Sequence, residues 1–432
     1  MSTATAPAVR EHHSVQDPGE RRRRLKIGIT LLVTGALLLY FWWTIDNDSV
    51  EYLLSGERTR DTVPKTIPAH AVTLACAVVS LAVAAAALTG VLRRGVVTVL
   101  AVVLAGAAFI LGFLVWAYSD QEAAFKAVIT NPLPGTFAIA TPLVLGALAG
   151  CLCERAGVIN VAIEGQFLAG AFFASVVASL TYSAGLGLLG GIAAGVGIAA
   201  MLALFSIRYL VNQVVLGVVL VVFASGLTAF LLDQIPNDPD VKQYLNDPPK
   251  LEDSAIPLLS DLPIVGEAMF NQTILVYLMY ASVALVTFIM FETRWGLRVR
   301  AVGEHPTAAD TVGIQVKRTR WQAVLFAGVF AGLGGAYFTV GSTGSFDKDA
   351  SSGNGFIALA AVIMGRWHPV YATFAALFFG FMSSLQDQLK LVNKIPGELL
   401  TMTPYIATVV AVVGFVGRVR PPAADGEPYV KG

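Results

Sequence analysis

The chain has 432 residues, of which 56% are hydrophobic and 13% are charged, and its mean hydropathy is +0.69. A soluble domain carries about 25% charged residues, so this composition excludes an ordinary soluble protein. Lysine plus arginine equal aspartate plus glutamate at 29 each, and a net charge of zero gives no support for a nucleic-acid partner.

Apolar runs near 20 residues in length follow one another along the chain and predict membrane spans. A run of that length matches about 30 Å of hydrocarbon, and backbone groups that lack water partners there must form helices. The predicted fold class is therefore all-α, a polytopic transmembrane helical bundle of about 10–12 spans. The expected segments are 26–43, 70–92, 95–119, 137–153, 161–182, 186–205, 211–232, 272–291, 322–341, 355–366, 370–387 and 402–417. Segment 355–366 is short, and its sequence is compatible with either a full span or a re-entrant helix.

The charges between these segments predict the topology. The tail 1–26 and the segment 292–320 each carry six basic residues, whereas 233–271 carries eight acidic residues and two basic ones. Lysine and arginine favour cytoplasmic loops, so both termini and 292–320 are expected in the cytoplasm. Four regions follow: a disordered basic cytoplasmic tail at 1–25, N-terminal transmembrane segments at 26–130, a transmembrane core at 131–418 with a cytoplasmic loop at 292–321, and a cytoplasmic tail at 419–432, of which 421–432 is expected to be loosely held.

Several chemistries have no support in the sequence. The G-x-x-x-x-G-K-[ST] motif of a nucleotide-binding loop does not occur, and the predicted spans contain no acidic residue away from their ends. The chain is therefore expected not to be an enzyme, and an ion-coupled transporter that buries carboxylates is disfavoured. Cys151 and Cys153 have the spacing of part of a metal site, but no second pair or nearby histidine completes one, so no metal or cofactor is expected.

The first informative stretch is ERAGVINVAIEGQ, residues 154–166, between two apolar runs. Its glycine and asparagine suit a tight turn, and its acidic residues flank that turn. One interpretation is a local ion-pair cluster that fixes the turn; the other is a site on the transport pathway or against a cytoplasmic partner. The residues concerned are Glu154, Arg155, Gly157, Asn160, Glu164 and Gly165.

The second informative stretch is the basic segment GLRVRAVGEHPTAADTVGI, residues 296–314. Pro306 suits the first position of a short helix that runs to Val312, and Gly313 suits the position just after its end. A short helix held at the membrane surface can transmit force to a docked domain. The alternative is a basic loop that only fixes topology.

These two stretches resemble the inner-membrane permeases of ABC importers in the branched-chain amino acid, ribose and nucleoside group. The stretches GFIALAAVIMGRWHP (355–369) and MTPYIATVVAVVGFVGR (402–418) also fit its nucleoside-type branch, so the resemblance covers about 137–420. It implies a multi-pass protein of the bacterial plasma membrane that works with an ATPase subunit, a second permease and an extracytoplasmic substrate-binding lipoprotein. ATP would be used by the partner subunit. The residues that match the ATPase-coupling region are Arg298, Arg300, Gly303, Glu304, Pro306, Ala309 and Gly313.

The expected function is the import of a small neutral solute, a nucleoside or a simple sugar, because intramembrane charge is scarce. Candidate pathway residues are Gln166, Ser383 and Gln386, for which helix-packing hydrogen bonds are the alternative role. Two other functions are open: a stand-alone facilitator or secondary transporter of a small polar solute, and a membrane scaffold without transport activity.

Overall fold

A computed structural model describes residues 18–53, 64–92, 95–119, 128–235, 239–262, 265–390, 420–431 and the single residues 392, 399 and 402. Within these residues, 15 α-helices account for most of the chain. Their bounds are α1 Pro18–Trp43, α2 Ala69–Thr89, α3 Val96–Tyr118, α4 Leu133–Arg155, α5 Ile163–Thr181, α6 Ala184–Ala203, α7 Gln213–Asp233, α8 Pro239–Asn246, α9 Val265–Phe270, α10 Ile274–Glu292, α11 Arg294–Glu304, α12 Pro306–Thr311, α13 Val316–Tyr337, α14 Asn354–Met364 and α15 Pro369–Leu389.

Two short antiparallel strand pairs accompany these helices. Strand β1 (Ser49–Tyr52) pairs with β2 (Lys65–Pro68), and β3 (Asp253–Ala255) pairs with β4 (Asn271–Thr273). Each pair lies in a polar connection between apolar helices, where the chain must satisfy its own backbone groups.

Nine helices in the described part of the chain are long and apolar enough to cross a membrane, which confirms the predicted all-α polytopic bundle. Helix α15 has 21 residues, whereas α14 has only 11. At 1.5 Å per residue, α14 is about 16 Å long and cannot cross the hydrocarbon layer. The predicted segment 355–366 is thus a half-length helix, and the predicted segment 402–417 falls almost entirely outside the described residues.

The chain divides into two compact units. The first consists of 1–53, 58–130 and 391–394, and within it α1, α2 and α3 pack together through aromatic and small residues. The Phe41 ring stacks on Trp116 with 4.4 Å between centroids, and Gly112 leaves room for the Leu38 side chain.

The second unit consists of 54–57, 131–390 and 395–432, and its core is formed by α4, α5 and α13. These three helices are buried over most of their length. Helix α6 packs on α13 so closely that a Cβ atom at Gly195 would collide with the backbone of Gly332. Small residues permit this approach between helices in lipid, where packing rather than the hydrophobic effect holds them together.

Helix α13 continues into a π-helical turn at Thr339–Thr343 before the chain loops back into α14. Single π-helical turns are rare and often lie at functional sites. Asn246, at the end of α8, is hydrogen-bonded to the loop that follows this turn. Its side chain accepts from the Phe346 backbone N–H at 2.7 Å and donates to the Phe346 carbonyl at 2.9 Å.

The structure contradicts two expectations about the tails. Helix α1 begins at Pro18, so the predicted disorder of 1–25 is wrong for residues 18–25, where arginines favour helix extension. Residues 420–431 are also not loosely held, because Ala424 is 3% exposed and Tyr429 is 8% exposed. Proline and glycine in this segment form turns that return it to the helices.

Candidate functional site

The end of α4 is joined to the turn that follows α14. The Trp367 indole N–H donates to the Glu154 carboxylate, and the Arg155 Nε donates to the Trp367 carbonyl oxygen at 2.9 Å. Arg366 and Trp367 have φ angles of 54° and 55°, a region that non-glycine residues rarely adopt. Such a conformation persists where neighbours hold it in place, and here Glu154 and Arg155 supply those contacts.

His368 extends the same contact region. Its ring stacks on Phe291 with 4.6 Å between centroids and lies 4.7 Å from the Tyr371 ring. Burial lowers the pKa of His368, and the nearby positive charge of Arg155 lowers it further. Its neutral form is therefore favoured, in keeping with a packing role beside an aromatic ring.

Helix α11 packs against the end of α4 through Gly303. A Cβ atom at this position would collide with the Arg155 carbonyl oxygen, so only glycine fits. Arg300 lies over the Phe291 ring at 5.0 Å, and Thr293 caps the helix by accepting from the Gly296 N–H at 3.1 Å. These contacts connect the basic segment to the core of the unit.

Helix α12 confirms the short helix predicted after Pro306. It runs from Pro306 to Thr311, and Gly313 follows with a φ angle of 86°. The left-handed conformation at Gly313 ends the helix, as expected for a glycine in this position. Ala309 is buried, whereas Val312 is 75% exposed.

Glu164 fixes the start of α14. One carboxylate oxygen accepts from the Ser351 hydroxyl at 2.6 Å and from the Gly353 N–H at 2.8 Å, and the other accepts from the Gly355 N–H at 2.6 Å. Helix N-termini favour a carboxylate because their first N–H groups lack partners within the helix. A Cβ atom at Gly355 would collide with the Glu164 backbone.

The structure therefore brings some of the predicted residues together and separates others. Glu154, Arg155 and Gly303 meet at one junction, whereas Glu164 acts on α14 and Gly165 packs on the α7 backbone at Leu220. The two glutamates accept hydrogen bonds from residues distant in sequence, instead of forming the local ion-pair cluster that was the alternative interpretation.

The remaining predicted residues lie in three places. Arg298 and Glu304 are exposed on α11, and Gly157 forms the turn after α4 with a φ angle of 82°. Asn160 is buried and donates to the Gln166 side-chain oxygen at 3.2 Å. Ser383 and Gln386 are half-buried one turn apart on α15, which packs mainly on α4 and α14, whereas α5 packs mainly on α6, α13 and α7.

Comparison with known proteins places the chain in a family. Residues 133–416 match the profile of the family described as "Branched-chain amino acid transport system / permease component". The chain belongs to this permease family. The permease is accordingly a multi-pass protein of the plasma membrane and a membrane component of an ABC importer, a class that generally works with an ATPase and a substrate-binding partner.

The similar proteins cover most of the permease. The guanosine ABC transporter permease protein NupQ of Bacillus subtilis is 39% identical over 316 residues, 71% of this chain and 98% of the relative. The nucleoside ABC transporter permease protein NupC of Lactococcus lactis is 36% identical over 302 residues, 67% of this chain and 94% of the relative. The putative glucose ABC transporter permease protein TsgC13 of Haloferax volcanii is 36% identical over 255 residues. No solved structure gives a significant match.

Three residues that hold the ends of these helices together in the permease could not be predicted from the sequence. Trp367 lies in the family stretch 355–369, but nothing local indicates a bond to Glu154. The charge pattern predicts Arg320 only as one of the basic residues of a cytoplasmic loop, whereas its side chain is 2% exposed and donates to the Glu427 carbonyl at 2.8 Å. Tyr429 is an aromatic residue in an otherwise polar tail, and this was the one feature of the sequence that could have indicated that the tail packs against the protein.

Proposed function

We propose that the permease moves a nucleoside into the cell as the transmembrane subunit of an ATP-driven importer. The observation that supports this substrate class is the near-complete coverage of NupQ, a guanosine ABC transporter permease protein, at 39% identity. NupC, named for nucleosides, adds a second relative of the same class. A simple sugar is the second candidate substrate, supported by the similarity to TsgC13 over 59% of this chain.

Helices α11 and α12 are the proposed contact with the ATPase. Leu297 is 60% exposed and Arg298 is also exposed, so this segment offers apolar and basic groups to a partner. Its inner side is fixed, because Gly303 packs on the Arg155 carbonyl. Movement of a docked ATPase would therefore pass from α11 to the end of α4.

The proposed pathway carries a neutral solute. Glu164, an acidic residue at the start of a span, is 5% exposed and already accepts three hydrogen bonds from the 351–355 loop. It therefore has little capacity left to compensate an ionic substrate. Gln166, Ser383 and Gln386 remain the pathway candidates of this proposal, because amide and hydroxyl groups can hydrogen-bond a base or a ribose.

A sibling permease is the proposed second half of the pathway. In each of three organisms, two permeases named for the same solute are similar to this chain. The identities are 39% and 24% for NupQ and NupP, 36% and 25% for NupC and NupB, and 36% and 28% for TsgC13 and TsgB13. The difference within each pair supports a heterodimer in which this chain takes the place of the first member. An extracytoplasmic lipoprotein is the proposed source of substrate.

The test is purification of the tagged permease in mild detergent, identification of its partners by mass, and uptake of labelled guanosine by proteoliposomes. Recovery of an ATPase and a sibling permease, with ATP-dependent uptake that unlabelled nucleosides inhibit, is the expected result. If glucose but not unlabelled nucleosides inhibits uptake, the substrate is a sugar. ATP-independent uptake by the chain alone would establish a facilitator, and absence of any flux would favour a scaffold.

A further inference from the structure

The C-terminal segment, residues 420–431, returns to the junction and is referred to below as the C-terminal strap. The Ala424 N–H donates to the Gly303 carbonyl at 2.9 Å, and the Ala423 N–H donates to the Glu304 carboxylate at 3.3 Å. The Gly303 carbonyl belongs to the last turn of α11, where carbonyl groups lack partners within the helix, and the Glu304 carboxylate extends from the same turn. The strap thus supplies hydrogen bonds that α11 cannot make for itself.

A second set of contacts joins the strap to α13 and to the turn after α4. The buried Arg320 guanidinium donates to the Glu427 carbonyl at 2.8 Å. A Cβ atom at Gly157 would lie 2.7 Å from the Arg320 guanidinium and 2.9 Å from the Ala424 carbonyl oxygen, so the three groups converge on one point. Gly426, with a φ angle of 79°, faces the Ile159 side chain.

A third set of contacts holds α12. Tyr429 packs in a cluster with Val302, Ala309 and Val316, and its side chain lies near Asp310. The Lys431 ammonium lies 3.8 Å from the Asp310 carboxylate. The cluster therefore takes one residue from each of α11, α12, α13 and the strap.

Helix α12 has little other means of attachment. It has six residues, and Ala309 is its one buried residue. A helix this short is unstable without tertiary contacts. Its position relative to α11 and α13 therefore depends on the cluster that Tyr429 completes.

We propose that the C-terminal strap is a positioning element for energy coupling and that Tyr429 is its central positioning residue. The strap makes α11, α12, the start of α13 and the 154–160 turn move as one body when the ATPase moves. This inference rests on the proposed function, since it concerns the same docking segment. It predicts that a substitution which disrupts the packing of the strap leaves ATP hydrolysis in place but lowers the amount of substrate transported per ATP.

The test compares Tyr429→Ala with Val430→Ala in the complete transporter. Val430 is the matched control, because it is adjacent to Tyr429 and 65% exposed. The readout is the ratio of substrate transported to ATP hydrolysed in proteoliposomes. We expect Tyr429→Ala to lower this ratio at least about tenfold, since truncation of a buried aromatic residue empties the cluster. Val430→Ala should retain the wild-type ratio, and Tyr429→Phe, which keeps the ring, should restore most of it.

The ratio distinguishes coupling from folding, because a smaller folded fraction lowers transport and hydrolysis together. Equal ratios in Tyr429→Ala and Val430→Ala, or proportional loss of both activities, would overturn the inference. Wild-type transporter without ATP-dependent uptake would instead overturn the proposed function. If Tyr429→Ala is not produced, hydrogen exchange of the wild-type strap provides the second measurement. The Ala424 amide should stay protected with and without nucleotide, and release of the strap on nucleotide binding would refute a rigid unit.

Discussion

Gly303 and Arg155 meet through their main chains, and a Cβ atom on residue 303 would overlap the Arg155 carbonyl oxygen. Because the overlapping atom belongs to the main chain, rotation of a side chain cannot relieve the overlap. This contact joins the last turn of α11 to the end of the buried helix α4.

Gly303→Ala should therefore disrupt the junction. Overpacking typically costs about 1–3 kcal/mol, and the fixed position of the carbonyl places this substitution at the upper end of that range. We expect a lower thermal midpoint and a clear loss of ATP-driven uptake. Gly197→Ala is the control, because a Cβ atom there meets no atom within 4 Å. Its stability should change by no more than about 1 kcal/mol, and equal effects of the two substitutions would contradict the close contact.

Trp367→Phe should leave the Glu154 carboxylate without its indole donor. A buried acceptor that loses its partner costs about 1–3 kcal/mol, which should appear as a lower midpoint in thermal unfolding of the purified permease. Trp43→Phe is the matched control, since Trp43 is 77% exposed. In a Glu154→Leu background the Trp367 substitution should cost less, because no side-chain oxygen is left to accept from the indole. Strictly additive effects would indicate that the two side chains do not interact.

Glu164→Gln should weaken the start of α14. A glutamine side chain has one acceptor oxygen in place of two and directs an amide donor toward the Gly353 or Gly355 N–H groups. Loss of these hydrogen bonds to a charged acceptor is expected to cost about 2–3 kcal/mol. Unfolding midpoints and uptake rates measure the effect, with the exposed Glu252→Gln as control. Retention of wild-type stability in Glu164→Gln would show that the carboxylate is not required there.

Packing of the C-terminal strap should depend on pH through Asp425. Burial raises the pKa of Asp425 from 3.8 to about 7, although the Arg320 charge acts in the opposite direction. A released strap would titrate at the ordinary value, so the packed strap alone binds a proton between the two pKa values. Packing is therefore strengthened by up to about tenfold per pH unit as pH falls below 7, and it is pH-independent above 7.

Hydrogen exchange of the Ala424 amide, corrected for the intrinsic effect of pH, measures this equilibrium. Cys153 and Glu154 of α4 and Arg320 of α13 are the other ionisable groups near Asp425. Asp425→Asn separates their contribution, because it removes only the Asp425 titration. We expect protection in this variant to be nearly constant from pH 5 to 7. An unchanged pH dependence would assign the effect to the neighbouring groups.

Local sequence patterns were sufficient to predict several structural elements. Pro306 and Gly313 mark the two ends of α12 because the proline ring and the left-handed backbone act within a few residues. The contacts of Glu164 could not be anticipated in the same way. Its partners Ser351, Gly353 and Gly355 are more than 180 residues away, and only packing of α5 against α14 brings them together.

The sequence by itself determined the membrane class, most of the spans, the missing nucleotide-binding motif and the family resemblance. Each of these depends on hydrophobicity over about 20 residues or on contiguous motifs, which folding does not rearrange. Tertiary structure decided that Arg320 is buried, that Trp367 binds Glu154 and that residues 420–431 form a strap. A polar, proline-rich tail has the same local preferences whether it is free or packed, and only the groups it meets on α11 and α13 distinguish the two states.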